Sequence, residues 1–310
     1  MKRELAISLC LLSACGGGTG TVAPVGDAPS PSPRTTPGPD SPTSPPARTA
    51  GGPGSQAAAP SVVMSAVAAD RIDALLTGAT GKAAVVVAVA SSGQVLYSAS
   101  PDELVFAASL YKLGVLLEAE RRIEAGTLAV ADRITITKAD HVEYGSFTAA
   151  GTVLSIDDAL ERMIALSDNA SALALIRTLG IASIQATLDR EQIDLRFTAA
   201  GAVTTARAVA TFFGELVRGS LVSRSASARM LGRLARQRSA DRLPAALPEG
   251  AVIAHKTGNL GFATHDAGII RASGGATLAI AVLTWDSDEG AAIELIKQIA
   301  AVVYEGAVRL

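Results

Sequence analysis

Cysteine is nearly missing from this chain: of 310 residues only Cys10 and Cys15 carry a thiol, both within the first fifteen positions. From residue 16 onward that excludes a disulfide framework, a thiolate nucleophile and a cysteine-bound metal. Histidine is almost as scarce. His141, His255 and His265 are scattered, and no His-Glu-x-x-His pattern occurs, so no metal site and no cofactor is expected. Neither sign of charge dominates, with 27 basic against 29 acidic residues and no basic run, which argues against nucleic acid as a partner. At the N-terminus the apolar run Leu5–Leu12 is too short to cross a bilayer.

Proline is unevenly spent: 11 of the 14 fall between positions 16 and 60, among Gly, Ser, Thr and Ala. Such a segment cannot bury enough apolar surface to offset its chain entropy, so residues 16–61 are expected to form a disordered tether. As coil or polyproline II it would reach between ~40 and ~140 Å. Ahead of it, residues 1–15 have a basic start, the apolar stretch and small residues, the build of an export signal. Leu12-Ser13-Ala14-Cys15 is similar to a bacterial lipobox. That resemblance implies cleavage before Cys15, acylation of its thiol, and a lipoprotein anchored outside the cytoplasmic membrane or in the periplasm; the protein is expected to be a monomer. An ordinary signal peptide with a chance cysteine is the alternative.

From position 62 to 310 the chain reads as one domain. Val63–Leu76 is expected to be a helix. Ala83–Ala90 and Gln94–Ser98 flank Ser92-Gly93 as a hairpin. Val252–Lys256, Asp266–Arg271 and Thr277–Trp285 read as strands, with turns at 258–261 and 273–275, and Glu289–Tyr304 as a closing helix. Almost everything between reads as helix. The expected class is α+β: an antiparallel sheet drawn from both chain ends against a mainly helical lobe.

Three short segments carry chemistry. Ser109-Leu110-Tyr111-Lys112 opens a helical stretch, so unpaired backbone N–H groups gather near the Ser109 hydroxyl and Lys112 lies one turn along on the same face. A lysine in a partly dry cleft beside other cations has a lowered pKa and can take the serine's proton. Alone, the segment would equally suit a helix-capping serine and a solvated lysine. Ser167-Asp168-Asn169 follows an amphipathic stretch that begins with Ser155 and Asp158, a capping pair; alone, it would suit a polar turn. Lys256-Thr257-Gly258 ends a strand, where alternation turns Lys256 toward a cleft and Gly258 keeps the edge open to a substrate.

Together and in this order, Ser-x-x-Lys, Ser-Asp-Asn and Lys-Thr-Gly resemble the serine β-lactamase and penicillin-binding protein superfamily over roughly residues 65–306. The resemblance implies the serine β-lactamase fold and an acyl-enzyme at Ser109. Lys112 would act as base, with Ser167 and Lys256 as proton relay. Asn169 would hold the substrate amide, Lys256 and Thr257 its carboxylate, and the backbone N–H groups of Ser109 and Asn259 an oxyanion. Tyr144 is the candidate aromatic at the cleft entrance. Either a β-lactam or a D-Ala-D-Ala peptide satisfies these motifs.

Two departures from that family stand out. No Glu-x-x-Leu-Asn lies between Asn169 and Thr204-Thr205, so the carboxylate that would activate the deacylating water is missing; Glu191 and Asp194 are the substitutes at hand. Where an arginine often holds the substrate carboxylate, this chain has Ala267. A β-lactamase-like serine hydrolase is the first expectation. A D,D-peptidase or slow penicillin-binding protein comes second, and a non-catalytic envelope lipoprotein third.

Overall fold

In the computed structural model, residues 61–309 are described. The export-signal, Cys15 and tether assignments lie outside the described residues. In chain order the elements are β1 Val62–Met64, α1 Ala66–Gly78, β2 Lys82–Val89, β3 Val95–Ala99 and β4 Val105–Phe106. A 3₁₀ turn over Ala108–Tyr111 leads into α2 Lys112–Glu124. Then follow β5 Arg133–Thr135, β6 Val153–Ser155, α3 Ile156–Ala165, α4 Asn169–Leu179 and α5 Ile181–Arg190. The remainder is β7 Leu195–Thr198, β8 Gly201–Thr204, α6 Ala206–Arg218, α7 Arg224–Leu234, β9 Val252–Asn259, β10 Ala263–Arg271, β11 Thr277–Trp285, α8 Glu289–Gly306 and β12 Ala307–Arg309.

The expected α+β architecture is present. Five strands form one antiparallel sheet in the order β3-β2-β11-β10-β9, joining hairpins from the two ends of the domain. Successive side chains of a strand point to opposite faces, and here both faces are apolar. Ala84, Val86, Ala281 and Leu283 face the helical lobe. Val85, Val87, Ile280 and Val282 face the layer of α1 and α8. The strands therefore read as continuous apolar runs, as a sheet covered on both sides should. Lys256 sits two residues beyond Ala254 and turns with it toward the helical lobe.

Local chemistry starts the helices where expected. Ser65, Ser155 and Thr205 each accept the backbone N–H three residues on, which satisfies a donor the helix itself leaves unpaired. Three expectations need correction. Val62–Met64 is a strand, because it pairs with Ala307–Arg309 at the far end of the domain. β9 runs through Gly258 to Asn259 before turning, because Gly258 and Asn259 still pair with His265 and Thr264. The stretch 189–203, within the region expected to be almost all helix, carries the β7–β8 hairpin, and β8 pairs with β4 beside the Ser109 segment.

Candidate active site

The Ser109 segment is held from two sides. Ala107 N–H donates to Ala202 O of β8 at 2.8 Å. His265 of β10 contacts Phe106 O through Nε2 at 2.8 Å, and its Nδ1 accepts the Thr284 N–H at 3.1 Å. That assignment puts the imidazole proton on Nε2, so the ring bridges β11 to β4. Immediately after these ties Ala108 adopts φ +45°, a left-handed conformation that a non-glycine residue keeps only where its surroundings enforce it.

One helical turn on, Lys112 is fully buried. Its Nζ lies 3.2 Å from Ser109 Oγ, 3.0 Å from Ser167 Oγ, 2.6 Å from Ser167 O and 2.7 Å from Asn169 Oδ1. Burial holds its pKa well below that of an ordinary lysine; Lys256 adds to the depression and Asp168 opposes it.

Ser167 sits at φ +57° in the turn between α3 and α4. Asp168 makes that turn rigid. Its carboxylate caps α4 through Ala170 and Ser171 N–H and also accepts from Phe147 N–H, Thr148 Oγ1 and Ser171 Oγ. These bonds bind the loop 144–148 to the turn. Asn169 completes the connection: Nδ2 donates to Tyr144 O at 2.7 Å, and its own N–H donates to Gly145 O at 2.8 Å. The Tyr144 backbone thus belongs to the site, while the residue is 78% exposed.

β9 closes the site as the edge strand of the sheet. Lys256 Nζ lies 3.0 Å from Ser167 Oγ and donates to Thr257 O at 2.8 Å. Its burial lowers the pKa to about 7, against the pull of Asp266 and with the help of Arg242. Ser109, Lys112, Ser167 and Lys256 therefore form one chain of polar contacts, no link longer than 3.2 Å. Gly258 is required for a reason beyond substrate access. A Cβ there would lie 3.1 Å from Ala108 Cβ and 3.3 Å from Ala107 O, pressing on the Ser109 segment. Asn259 stands at the strand's end, its side-chain amide bonded to Glu289.

Arg242 is the functional residue that sequence reasoning missed. It is buried, and Nη1 donates to both Gly258 O and His265 O at 2.8 Å. A guanidinium therefore stands at the end of β9 although Ala267 cannot supply one. No short motif marks it, since its partners are carbonyls 16 and 23 positions away. His255 is hydrogen-bonded within the sheet, its Nδ1 3.0 Å from Asp266 Oδ1, while His265 joins the sheet to β4; neither is a hydrogen-bond partner of Ser109, Lys112, Ser167 or Lys256.

The two substitute carboxylates are not at the relay. Asp194 pairs with Arg196 at 2.6 Å. Glu191 is raised by burial and lies in the field of Arg190 and Glu215. Neither is among the hydrogen-bond partners of Lys112, which are hydroxyl, carbonyl and amide oxygens. Among the described residues no cluster of His, Cys, Asp and Glu has the makings of a metal site.

Comparison with known proteins agrees with this geometry. The model of the beta-lactamase enzyme family matches residues 67–307. Among curated proteins none matches. Solved structures share the fold. A beta-lactamase from Sphaerobacter thermophilus superposes with TM-score 0.69 at 22% identity, over 76% of this chain and 95% of its own. PBP-A does so with TM-score 0.70 at 24% identity, over 77% and 95%; a mutant of it is an acyl-enzyme complex with penicillin G. An ancestral class A beta-lactamase gives TM-score 0.70 at 24% identity, over 76% and 98%.

Proposed function

Since the chain belongs to the beta-lactamase enzyme family and is a serine hydrolase of that type, we propose that Ser109 is its nucleophile and β-lactams are its substrates. The observation that carries this is the unbroken contact chain from Ser109 through Lys112 and Ser167 to Lys256, with both lysines fully buried. A buried lysine with a lowered pKa is neutral at a pH where an exposed one is charged, and so can accept a proton.

In acylation, Lys112 takes the proton as Ser109 Oγ bonds to the lactam carbonyl carbon. The carbonyl oxygen gains negative charge toward the N–H groups of Ser109 and Asn259. As the carbon–nitrogen bond breaks, Ser167 hands its proton to the leaving nitrogen and is resupplied by the lysines on either side. Lys256 and Thr257 hold the substrate carboxylate, Asn169 its amide, and Tyr144 flanks the entrance. Water then attacks the ester, and Ser109 regains its proton. The acyl-enzyme of penicillin G on the similar PBP-A fold supports the substrate class.

Incubation with a fluorescent penicillin, followed by peptide mapping, tests the reading: the label is expected on Ser109 and absent after Ser109→Ala. A label elsewhere, or none at high concentration, would reject it.

A second reading, slow turnover as a penicillin-binding protein or D,D-peptidase, is favoured by one observation: among the described residues no carboxylate is hydrogen-bonded to Lys112. Single-turnover kinetics separate the two. An acyl-enzyme lasting minutes to hours selects the second, and turnover near 1 s⁻¹ or faster, at the low end of ordinary enzymes, selects the first. The assignment to a monomeric envelope lipoprotein anchored through Cys15 is also a proposal, supported by residues 1–15 of the sequence alone. Mass spectrometry of the mature protein is expected to find an acylated Cys15 at its N-terminus; a soluble exported protein starting elsewhere would remove the anchor.

A further inference from the structure

Just past Ser167 the surface opens into a groove of about 270 Å³ lined by Phe147, Ala165, Leu166, Arg238 and Ser239. None of the three motifs contributes to its lining. Its walls are nevertheless tied to the catalytic turn: Phe147 N–H donates to Asp168 Oδ1 at 2.7 Å, and Arg238 N–H donates to Ala165 O at 3.0 Å. Phe147 is 65% exposed, an unusual position for a phenyl ring in this molecule. Arg238 is exposed, and among the described residues its guanidinium makes no ion pair. Its neighbours in sequence differ in this respect, since Arg233 and Arg236 both engage Glu161 and Arg242 is buried in the site.

We propose that this groove is a leaving-group subsite that takes a planar anionic substituent, an aromatic carboxylate, carried on the departing half of the substrate. The assignment rests on the acyl-transfer reading above. Ser167 gives its proton to the leaving nitrogen, so that nitrogen lies over Ser167 Oγ, between Lys112 and Lys256. The carboxylate of the leaving half points along β9 toward Lys256 and Thr257. A further substituent on that half, turned away from β9, meets Leu166 next and then the groove. There a ring stacks on Phe147, whose face is a large apolar surface at little entropic cost, and an acid on that ring meets the unpaired Arg238. Arg242 keeps its charge at any working pH, and Arg238 adds a second permanent positive charge at the groove.

Three cephalosporins with one shared 7-acyl side chain and methyl, phenyl or 4-carboxyphenyl at C3 test the subsite on the intact protein. The second-order rate of Ser109 acylation is measured for each and divided by its rate of hydroxide hydrolysis, which removes intrinsic reactivity. Phenyl is expected to react ~5-fold faster than methyl, as one aromatic contact provides. The carboxylate adds another ~3-fold at low salt, as an exposed ion pair does. Arg238→Ala removes the second factor only, and Phe147→Ala removes most of the first, while both leave the methyl compound unchanged. Equal normalised rates in the parent protein, or ratios that survive both substitutions, overturn the subsite while leaving acyl transfer intact. No acylation by any of the three or by penicillin G removes the acyl-transfer reading and the subsite with it.

Discussion

At Lys256 burial and the Arg242 guanidinium outweigh Asp266, and the ammonium loses its proton near pH 7, where an exposed lysine would hold it to 10.5. If Lys256 binds the substrate carboxylate as a cation, acylation must fall as pH rises through about 7. Lys112, with its lowered pKa, must be neutral to act as base, which gives the rising acid limb. A bell-shaped pH profile for the acylation rate constant is therefore expected. Lys256→Arg, whose side chain stays charged, should carry the alkaline limb to higher pH; a limb that does not move assigns it to another group. Gly145 gives a second expectation at this scale. It has φ +67°, and a Cβ there would lie 2.9 Å from Asn169 Nδ2, whose Oδ1 partner is Lys112. Gly145→Ala is expected to cost about 1–2 kcal/mol of stability from the backbone alone. It should also slow acylation, read by urea unfolding and labelling kinetics on the same preparation.

Between elements, the Ser109 segment depends on strands far from it in sequence. β8 supplies the carbonyl that accepts the Ala107 N–H, and His265 on β10 spans from the Thr284 N–H to Phe106 O. Removing the imidazole leaves a buried donor and a carbonyl without partners, each costing about 1–3 kcal/mol. His265→Ala should therefore lose about 2–6 kcal/mol in urea unfolding, while His265→Gln, which keeps a donor and an acceptor, recovers part of it. Acylation by His265→Ala should drop even where the protein remains folded, because the turn carrying Ser109 loses its tie to the sheet. Unchanged kinetics would show that β8 alone positions that turn. Of these ties, the sequence displayed the hairpin strands but not the partner of β4. The apolar runs of β2, β10 and β11 are legible because each strand repeats its pattern locally. The β7–β8 hairpin is short and half-polar, with Asp194 before it and Gly201 at its turn, so nothing local separates it from a loop.

For the whole molecule, the buried titrating groups set how stability changes with pH. Burial lowers His265 from 6.5 to about 4. Between those values the unfolded chain binds a proton that the folded one does not, so stability falls as pH drops from 6.5 toward 4. The same inequality holds for Lys256 between about 7 and 10.5, and for Lys112 over its own lowered range. There stability rises with pH, by about 1.4 kcal/mol per unit for each such group. Tyr111 and Tyr97 act in the opposite sense above pH 10, since burial raises both phenols and only the unfolded chain then releases their protons. The melting temperature should peak on the alkaline side of neutrality, below about pH 10. Lys256→Met should flatten the rise between 7 and 10; a maximum at or below pH 6 would contradict the burial of both lysines.

The sequence by itself determined what depends on neighbours along the chain. Lys112 reaches Ser109 because three residues make one helical turn, Asp168 caps α4 because its carboxylate is two and three residues from the N–H groups it accepts, and Lys256 shares the face of Ala254 because strands alternate. The order of the three segments pointed, by resemblance, to the class of chemistry, and strands at both ends around a helical middle indicated the α+β architecture. Only the tertiary structure decided what depends on approach across the fold. It set the depth at which both lysines are buried, hence their lowered pKa values, and brought Arg242 to the end of β9. It also filled the stretch before Thr205 with a hairpin and left Glu191 and Asp194 away from Lys112. Short-range contacts follow from bond geometry and recur wherever the spacing recurs. Long-range ones are selected by the packing of the whole core, and no spacing in the chain encodes them.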